Sequence, residues 1–248
     1  MSKLNITWCY PDILNLHGDR GNIMALVRIA KKMNLEVNVK KIVNMGDPID
    51  FDNTDILFFN PGEFKSCENI VHALSKQKDE LDRYVEGNKV LVTIGTTGAS
   101  FAKTIHRIGK PDLEGLGYLD MTCQERDNIL GDDLICTMRE TGFELAGSQI
   151  QVMDTHLNQD IALADVSYGY GNCSYEDKKE GARYKNLIFT NLLGPLLVKN
   201  PWLTEALIRE AMHNKGEAVT GSIPDSEFDL ERKSLECIKR YNATKADK

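Results

Sequence analysis

The sequence predicts an α/β protein with a mostly parallel central sheet that is flanked by helices and carries some antiparallel edge strands. The first reason is that short apolar runs at residues 55–59 and 89–94 are bounded by turn residues, as buried central strands are. The second is that amphipathic stretches at helical spacing separate these runs, which predicts parallel pairing through right-handed crossovers. The third is a change after residue 115 to short strand-like pieces separated by Gly, Asp and Asn, which predicts the antiparallel strands.

The elements of the first half follow from hydrophobic spacing and turn residues. A strand-like segment opens the chain, and a loop rich in Gly, Asp and Asn follows it. Ile23, Leu26, Val27 and Ala30 then share one face of a helix. The predicted order is a strand at 4–10, a loop at 11–22, a helix starting near Gly21, strands at 37–42 and 55–59, one long helix at 67–86 and a strand at 89–94.

The second half predicts shorter strands and two further helices. Pro201 suits the first turn of a helix that ends near Asn214. The predicted order is strand-like pieces at 115–118, 135–138, 150–153 and 162–168, a strand at 187–193, a helix at 200–214, a linker at 216–224, a polar helix at 225–241 and a charged, frayed end. We therefore divide the chain into a domain at 1–215 and a linker with a polar C-terminal helix and tail at 216–248.

Composition and charge exclude several classes of function. The chain has a formal net charge of −7 and no dense stripe of Lys and Arg, which argues against a nucleic-acid-binding protein. No apolar run approaches the roughly 20 residues that span a bilayer, and no signal peptide precedes the first strand, so we expect a cytoplasmic protein. The six cysteines show no C-x-x-C spacing, so we expect neither a disulfide framework nor a metal site, and no cofactor.

The turn after the fourth predicted strand is where the sequence places a functional site, because ligands bind at the carboxyl ends of parallel strands. Gly95, Thr96, Thr97 and Gly98 have the small side chains that a nucleophile elbow requires, and a helix beginning near Gly98 would present backbone N–H groups to an anion. The turn contains no thiol. Its hydroxyl groups, including that of Ser100, would need an adjacent general base to attack a carbonyl, and helix capping is the favoured alternative.

Several spaced blocks of the sequence resemble one enzyme family. Residues 10–23, YPDILNLHGDRGNI, are similar to the N-terminal signature of the CobB/CobQ-like branch of class I glutamine amidotransferases. Within that branch they resemble the GatD type of glutaminase subunit of lipid II isoglutaminyl synthase. The resemblance implies a flavodoxin-like class I glutamine amidotransferase fold. Further blocks in the family's order lie at 113–120, 142–144, 169–172, 176–181, 184–186, 194–197 and 199–201.

The sequence differs from the family at the positions of the catalytic nucleophile and base. The family's elbow reads Ile-Cys-Gly-Gly, which leaves Gly95 in the place of the nucleophile. The family's Leu-His-Gly-Pro becomes Leu-Leu-Gly-Pro, which puts Leu193 in the place of the base. A Gly-rich oxyanion loop is reduced to residues 60–63. The pattern predicts a glutaminase fold without catalytic residues, and its candidate pocket and oxyanion residues are Gly62, Glu63, Thr96, Thr97 and Gly98.

The resemblance also implies a partner. Catalytic members of the family supply ammonia to a Mur-ligase-like, ATP-dependent subunit of the MurT type, which amidates the stem peptide of a cell-wall precursor. We expect this chain to be a non-hydrolytic partner of such a ligase, with His17, Asp19, Arg20 and Asn172 as partner-facing candidates. An internal Asp19 and Arg20 ion pair that orders the loop is an equally good interpretation.

Two other functions stay open from the residues alone. One is a working amidotransferase with a relocated nucleophile, for which the candidates are Thr96, Thr97, Ser100 and Cys67. The other is a stand-alone small-molecule-binding protein that has no ligase partner. Glutamate release, labelling by a glutamine analogue and association with a Mur-ligase-like protein distinguish the three functions.

Overall fold

The computed structural model describes residues 2–246 as two sheets with flanking helices. The strands are β1 (Lys3–Cys9), β2 (Glu36–Ile42), β3 (Ile56–Phe59), β4 (Val90–Ile94), β5 (Ala102–His106), β6 (Leu113–Glu114), β7 (Leu119–Met138), β8 (Glu144–Leu157), β9 (Ala164–Tyr168), β10 (Lys179–Glu180), β11 (Ala182–Tyr184) and β12 (Leu187–Thr190). The α-helices are α1 (Arg20–Lys32), α2 (Cys67–Ser75), α3 (Lys78–Glu86), α4 (Leu196–Lys199), α5 (Pro201–Asn214) and α6 (Asp229–Ala246). Short 3-10 helices lie at Phe64–Ser66, Gly95–Phe101 and Asp225–Phe228.

The first sheet is parallel except at one edge. Its strand order is β11-β12-β4-β3-β1-β2, and β11 runs antiparallel to β12. The register aligns Phe59 with Thr93 and Thr190 with Ile94, so β3, β4 and β12 end at nearly the same level. The turns after these strands therefore meet at one edge of the sheet, where the carboxyl ends of parallel strands place a ligand site.

Apolar side chains cover both faces of the first sheet. Ile6 and Phe58 pack with α1 and α5 on one face, whereas Leu57 and Leu91 pack with α2 and α3 on the other. Successive residues of a strand point to opposite faces, so the continuous apolar run Ile56–Phe59 is buried on both sides. The arrangement confirms the predicted fold class, a mostly parallel sheet flanked by helices.

The antiparallel strands of the second half form a separate sheet in addition to the edge strand β11. The order of this sheet is β10-β9-β7-β5-β6, and β8 pairs with β7 as a long antiparallel hairpin. The sequence predicts short pieces here, but each strand of the hairpin continues through its polar residues, because one face of an antiparallel pair can be solvated. The register of the hairpin shifts between Glu125 and Leu130, so residues 126–129 bulge from the ladder.

Two predicted helices differ in the structure. The predicted helix at 67–86 is two helices, α2 and α3, because Gln77 leaves the helical conformation with φ of −124°. The Gln77 side chain also accepts a hydrogen bond from Ile49 N at 2.8 Å. The predicted helix after the elbow is the 3-10 helix Gly95–Phe101, which leads directly into β5. No α-helix therefore begins near Gly98, and the predicted helix N-terminus at that residue is wrong.

The C-terminal helix packs against the same core as the first sheet. Phe228 and Leu235 are buried in that core, and the guanidinium of Arg232 lies 5.3 Å from the ring centroid of Trp202. α6 continues to Ala246, so the predicted frayed end after Tyr241 is wrong for residues 242–246, and residues 247–248 lie outside the described part of the chain. Within residues 2–246, no helix is long and apolar enough to cross a membrane. The same part of the chain contains no cluster of three or more His, Cys, Asp or Glu side chains suited to a metal ion.

Candidate functional site

A pocket of about 430 Å³ opens where β3, β4 and β12 end. Five parts of the chain contribute to its lining: the loop after β1, the segment after β3, the elbow after β4, the β7–β8 hairpin and the loop after β12. The pocket therefore lies at the predicted edge of the sheet. Its lining residues are Leu16, His17, Pro61, Gly62, Glu63, Phe64, Lys65, Gly95, Thr96, Glu125, Arg126, Ile129, Ile150, Val152 and Leu193.

Gly95 has the backbone conformation of a nucleophile elbow but no side chain. It follows β4 directly and has φ of +60°, in the left-handed region that residues with a Cβ enter only under strain. A Cβ built on Gly95 would lie 3.2 Å from Pro61 Cβ and 3.4 Å from Leu193 Cδ2. The positions that the family resemblance assigns to nucleophile and base are thus neighbours. A hydrogen atom and an isobutyl group at these positions can neither form a thioester nor accept a proton.

The hydroxyl groups near Gly95 donate hydrogen bonds to backbone carbonyl groups of the same chain. Thr96 Oγ1 donates to Gly62 O, and Thr97 Oγ1 donates to Asn60 O at 2.8 Å. Ser100 is fully buried, and its Oγ donates to a backbone carbonyl of α2 at 3.5 Å. Each hydroxyl thus joins the elbow segment to a neighbouring segment through a backbone carbonyl. A nucleophile would instead donate its proton to a general base.

The thiol and imidazole groups near the elbow are not arranged as a catalytic pair. Cys67 begins α2, is 3% exposed and donates through Sγ to Thr96 O at 3.2 Å. Burial raises the pKa of its thiol to about 12, so the thiolate form is scarce at neutral pH. His17 lines the pocket, and partial burial lowers the pKa of its imidazole. His106 lies on β5 and contacts Asp112 through Nδ1 at 2.8 Å.

The candidate oxyanion residues divide into two groups. Thr97 and Gly98 are buried and lie outside the pocket lining, because the tight 3-10 turn directs them toward the core. A Cβ on Gly98 would lie 2.1 Å from Phe189 Cδ2, so this glycine permits close packing against β12. The structure therefore corrects the assignment of these two residues to the pocket. The candidates that do line it are Gly62, Glu63 and Thr96.

Buried polar groups tie the loop after β1 to the loop after β12. Asp19 is completely buried, and its Oδ1 accepts a hydrogen bond from Asn22 Nδ2 at 3.1 Å. The other carboxyl oxygen, Oδ2, is buried near the backbone N–H of Gly194 and has no hydrogen-bond partner among the described residues. Asn22 Oδ1 in turn accepts from Leu197 N at 2.8 Å. Asp19 and Asn22 therefore position the loop that carries Leu193.

Two of the four partner-facing candidates are buried. Asp19 and Asn172 expose no surface, so the prediction that their side chains face a partner is wrong for this chain. The proposed pairing of Asp19 with Arg20 is also replaced, since Arg20 Nη2 lies 3.8 Å from Asp12 Oδ1. Arg20 is exposed and His17 keeps part of its surface accessible to solvent, and their contact with a partner stays a prediction.

Asn172 belongs to a buried polar network that holds the end of β12. Its Oδ1 accepts from Gly181 N at 2.7 Å and from Asn191 Nδ2 at 3.0 Å, and its Nδ2 donates to Gly181 O at 2.9 Å. Glu180 is fully buried and accepts from Asn191 N at 2.7 Å, and burial raises the pKa of its carboxyl group. The network fixes the backbone immediately before Leu193, which is a structural role.

Sequence reasoning missed the residues that the β7–β8 hairpin brings to the pocket. Arg126 and Ile129 lie in the bulge, and Ile150 and Val152 line the pocket from β8. Arg126 Nη1 donates to Asp154 Oδ1 at 2.7 Å, which holds the guanidinium against the hairpin. The available signal was the polar interruption of strand alternation at the bulge, but only the pairing with β8 shows what the bulge faces.

Replacing Asp19 with Asn should change how the stability of the fold depends on pH. Burial raises the pKa of Asp19 to about 7, well above the value in an unfolded chain. Between about pH 4 and about pH 7 the unfolded chain releases this proton while the folded chain keeps it, so the wild type loses stability as pH rises. Relative to D19N, the wild type should lose at least about 2 kcal/mol of unfolding free energy between about pH 4 and pH 8, measured by urea denaturation. A difference that does not vary with pH would contradict this result.

The fold is shared with glutamine amidotransferases. A crystal structure of a glutamine amidotransferase matches with a TM-score of 0.52, covering 83% of this chain and 98% of that chain at 16% identity. A likeness at this identity concerns the fold alone. No protein-family model matches the chain. The class that the architecture and the elbow define is a glutamine amidotransferase-like α/β protein.

Sequence similarity to two curated relatives shows the family to which the chain belongs. The chain is 35% identical over 249 residues to the lipid II isoglutaminyl synthase (glutamine-hydrolyzing) subunit GatD of Staphylococcus aureus (strain N315), covering 99% of both chains. It is 29% identical over 215 residues to the subunit of the same name from Streptococcus pneumoniae, covering 86% of this chain and 82% of that protein. The chain belongs to the GatD family.

Proposed function

We propose that this chain is a GatD-type subunit that does not hydrolyse glutamine. It would partner a Mur-ligase-like, ATP-dependent subunit of the MurT type in the amidation of a cell-wall precursor. The names of the two curated relatives, both subunits of lipid II isoglutaminyl synthase, support the amidation reaction, and similarity over the whole chain supports a subunit role. In this role the chain would hold the ligase in its working conformation or cover its ammonia entrance.

The observation that carries the loss of hydrolysis is the contact between Gly95 and Leu193. Glutaminase chemistry needs a thiolate that attacks the side-chain amide carbon and a base that moves the proton. The elbow backbone is kept at φ +60°, but neither group is present at the two adjoining positions. Removing a nucleophile or its base lowers kcat by on the order of 10⁶ in a serine hydrolase. Backbone N–H groups at the elbow would not replace that loss.

A relocated nucleophile has less support. The four candidates, which share small hydroxyl or thiol side chains, each donate to a backbone carbonyl inside the protein. The thiol among them also has a pKa raised by burial. Using any of them would require breaking a hydrogen bond, bringing in a base and opening the packing around the elbow. These residues are Thr96, Thr97, Ser100 and Cys67.

Glutamate release and ammonia use test the proposal together. The purified chain, alone and co-expressed with the MurT-type subunit, should release glutamate only at the background rate. The complex should nevertheless amidate its substrate when ammonium chloride is supplied, which shows that the ligase is competent. The Staphylococcus aureus relative, assayed in parallel, is the positive control. Glutamate release above background, or covalent labelling of the chain by a glutamine analogue, would overturn the inactive assignment.

A further inference from the structure

The pocket beside Gly95 has an apolar rim. Leu16, Ile129 and Ile150 line the pocket and are 36%, 70% and 38% exposed, and we call these three residues the apolar rim. Leu193 continues the apolar lining next to the elbow. Exposed aliphatic side chains that converge on one cavity are typical of a binding surface, because an isolated monomer gains nothing from leaving them in water.

The basic side chains of the pocket are already engaged within the chain. Lys65 pairs with Glu63, and Arg126 Nη1 donates to Asp154 Oδ1 at 2.7 Å. Partial burial lowers the pKa of His17, which favours its neutral form at physiological pH. A ligand that carries a carboxylate would therefore have to break an existing ion pair to find a cation. The pocket favours an apolar group over an anionic one.

The acidic side of the pocket indicates what flanks that apolar group. Glu125 lines the pocket, and Asp127 is exposed on the bulge beside Ile129. The Glu125 carboxylate accepts a hydrogen bond from Ile108 N at 2.8 Å, and within residues 2–246 no basic side chain pairs with it or with Asp127. Charge complementarity across an interface would place a Lys or Arg of the partner opposite this pair. The apolar rim and the two carboxylates therefore favour a partner segment in which an apolar side chain lies next to a Lys or Arg.

We propose that the apolar rim docks an apolar segment of the amidating subunit, with one aliphatic or aromatic side chain inserted above Gly95 and Leu193 and a basic residue beside Glu125 and Asp127. The inference rests on the proposed function and adds the place and chemistry of the contact. Burying the exposed side chain of Ile129 on association would remove apolar surface from water, which favours binding. The pocket beside Gly95 and Leu193, which lacks catalytic side chains, would thereby receive a side chain of the partner. We call the pocket in this role the socket.

The test compares one rim residue with an equally exposed apolar residue elsewhere. Ile129→Asp puts a charge on the rim, and Met24→Asp puts the same charge on α1, where Met24 is also 70% exposed. Each full-length variant is titrated into the purified MurT-type subunit by isothermal calorimetry. We expect I129D to raise Kd at least about tenfold and M24D to leave it within about twofold. Ile129→Leu should restore the affinity, and the thermal unfolding of all three variants shows that the fold is intact.

The outcomes separate this inference from the proposed function. Unchanged binding by I129D overturns the socket but leaves an inactive, partnered subunit standing. Failure of the wild type to bind the MurT-type subunit overturns the socket and the partnership together. Glutamate release by the complex overturns the inactive assignment alone. A wild type that is a dimer by light scattering and that I129D makes monomeric would assign the rim to a second copy of this chain, which also overturns the proposal.

Discussion

A histidine at position 193 should activate a thiol placed at position 95. In the double variant G95C/L193H, the alkylation rate should reach half its maximum at least about one pH unit lower than in G95C alone. The reason is that an imidazolium beside a thiol stabilises the thiolate. Leu193 Cδ2 lies 3.4 Å from the position of a Cβ on residue 95, so an imidazole at 193 would stand within reach. The measurement is iodoacetamide labelling at position 95, followed by peptide mass spectrometry across a pH series.

The thiol should fit the elbow with a modest loss of stability. A Cβ at position 95 would lie 3.2 Å from Pro61 Cβ, which requires Pro61 to move by a few tenths of an ångström. A side chain at φ +60° adds roughly 1–2 kcal/mol of backbone strain. This is the strain that a nucleophile elbow carries in a working enzyme. G95S should therefore lose the same stability as G95C, since the cost belongs to the Cβ.

Native thiols supply the reference for this experiment. Cys237 is exposed on α6, so its labelling in the same digest reports any change in general reactivity. L193H without the second substitution should leave the labelling of Cys237 unchanged. Equal pH profiles for G95C and G95C/L193H would show that residue 193 does not reach the elbow. Such a result would count against Leu193 as the replaced base.

The central sheet could be predicted because its signal is local. The apolar runs of β3 and β4 are bounded by turn residues, and each is buried on both faces. The second sheet could not be predicted in detail, because β7 pairs with β5 and β9, which are distant in sequence, in addition to its hairpin partner β8. The break between α2 and α3 had the same cause. It depends on the hydrogen bond between Gln77 and Ile49, two residues that are distant in sequence.

The candidate site shows the same division. Gly95 and Leu193 could be singled out because short blocks of the sequence resemble the GatD type, although their loss of chemistry stays a prediction. Ile129 could not be assigned, because only the register shift of the hairpin turns the bulge toward the pocket. Asp19 lies in a polar, Gly-containing loop that looks solvent-exposed in sequence. The structure buries its carboxyl group instead, and a hydrogen bond from Asn22 holds one of the two carboxyl oxygens.

Alanine at position 98 should destabilise the fold by about 3 kcal/mol. The new Cβ would lie 2.1 Å from Phe189 Cδ2 and 2.4 Å from Phe189 Cε2. Phe189 is fully buried between neighbouring core residues, so its ring has no free space to enter. Urea denaturation should show a lower midpoint for G98A with an unchanged slope, because the native fold is kept and only its stability falls.

Two comparisons show whether the ring contact causes this loss. Gly131→Ala adds a Cβ that meets nothing within 4 Å, so its unfolding free energy should change by no more than about 0.5 kcal/mol. Phe189→Leu removes the ring atoms that G98A strikes, so the double variant should be at least about 1 kcal/mol more stable than the sum of the single changes implies. Simple additivity would contradict the steric explanation. Two separate constraints then explain the small residues of the elbow. The backbone at Gly95 is left-handed, and an aromatic ring packs against Gly98. Neither constraint requires the turn to be catalytic.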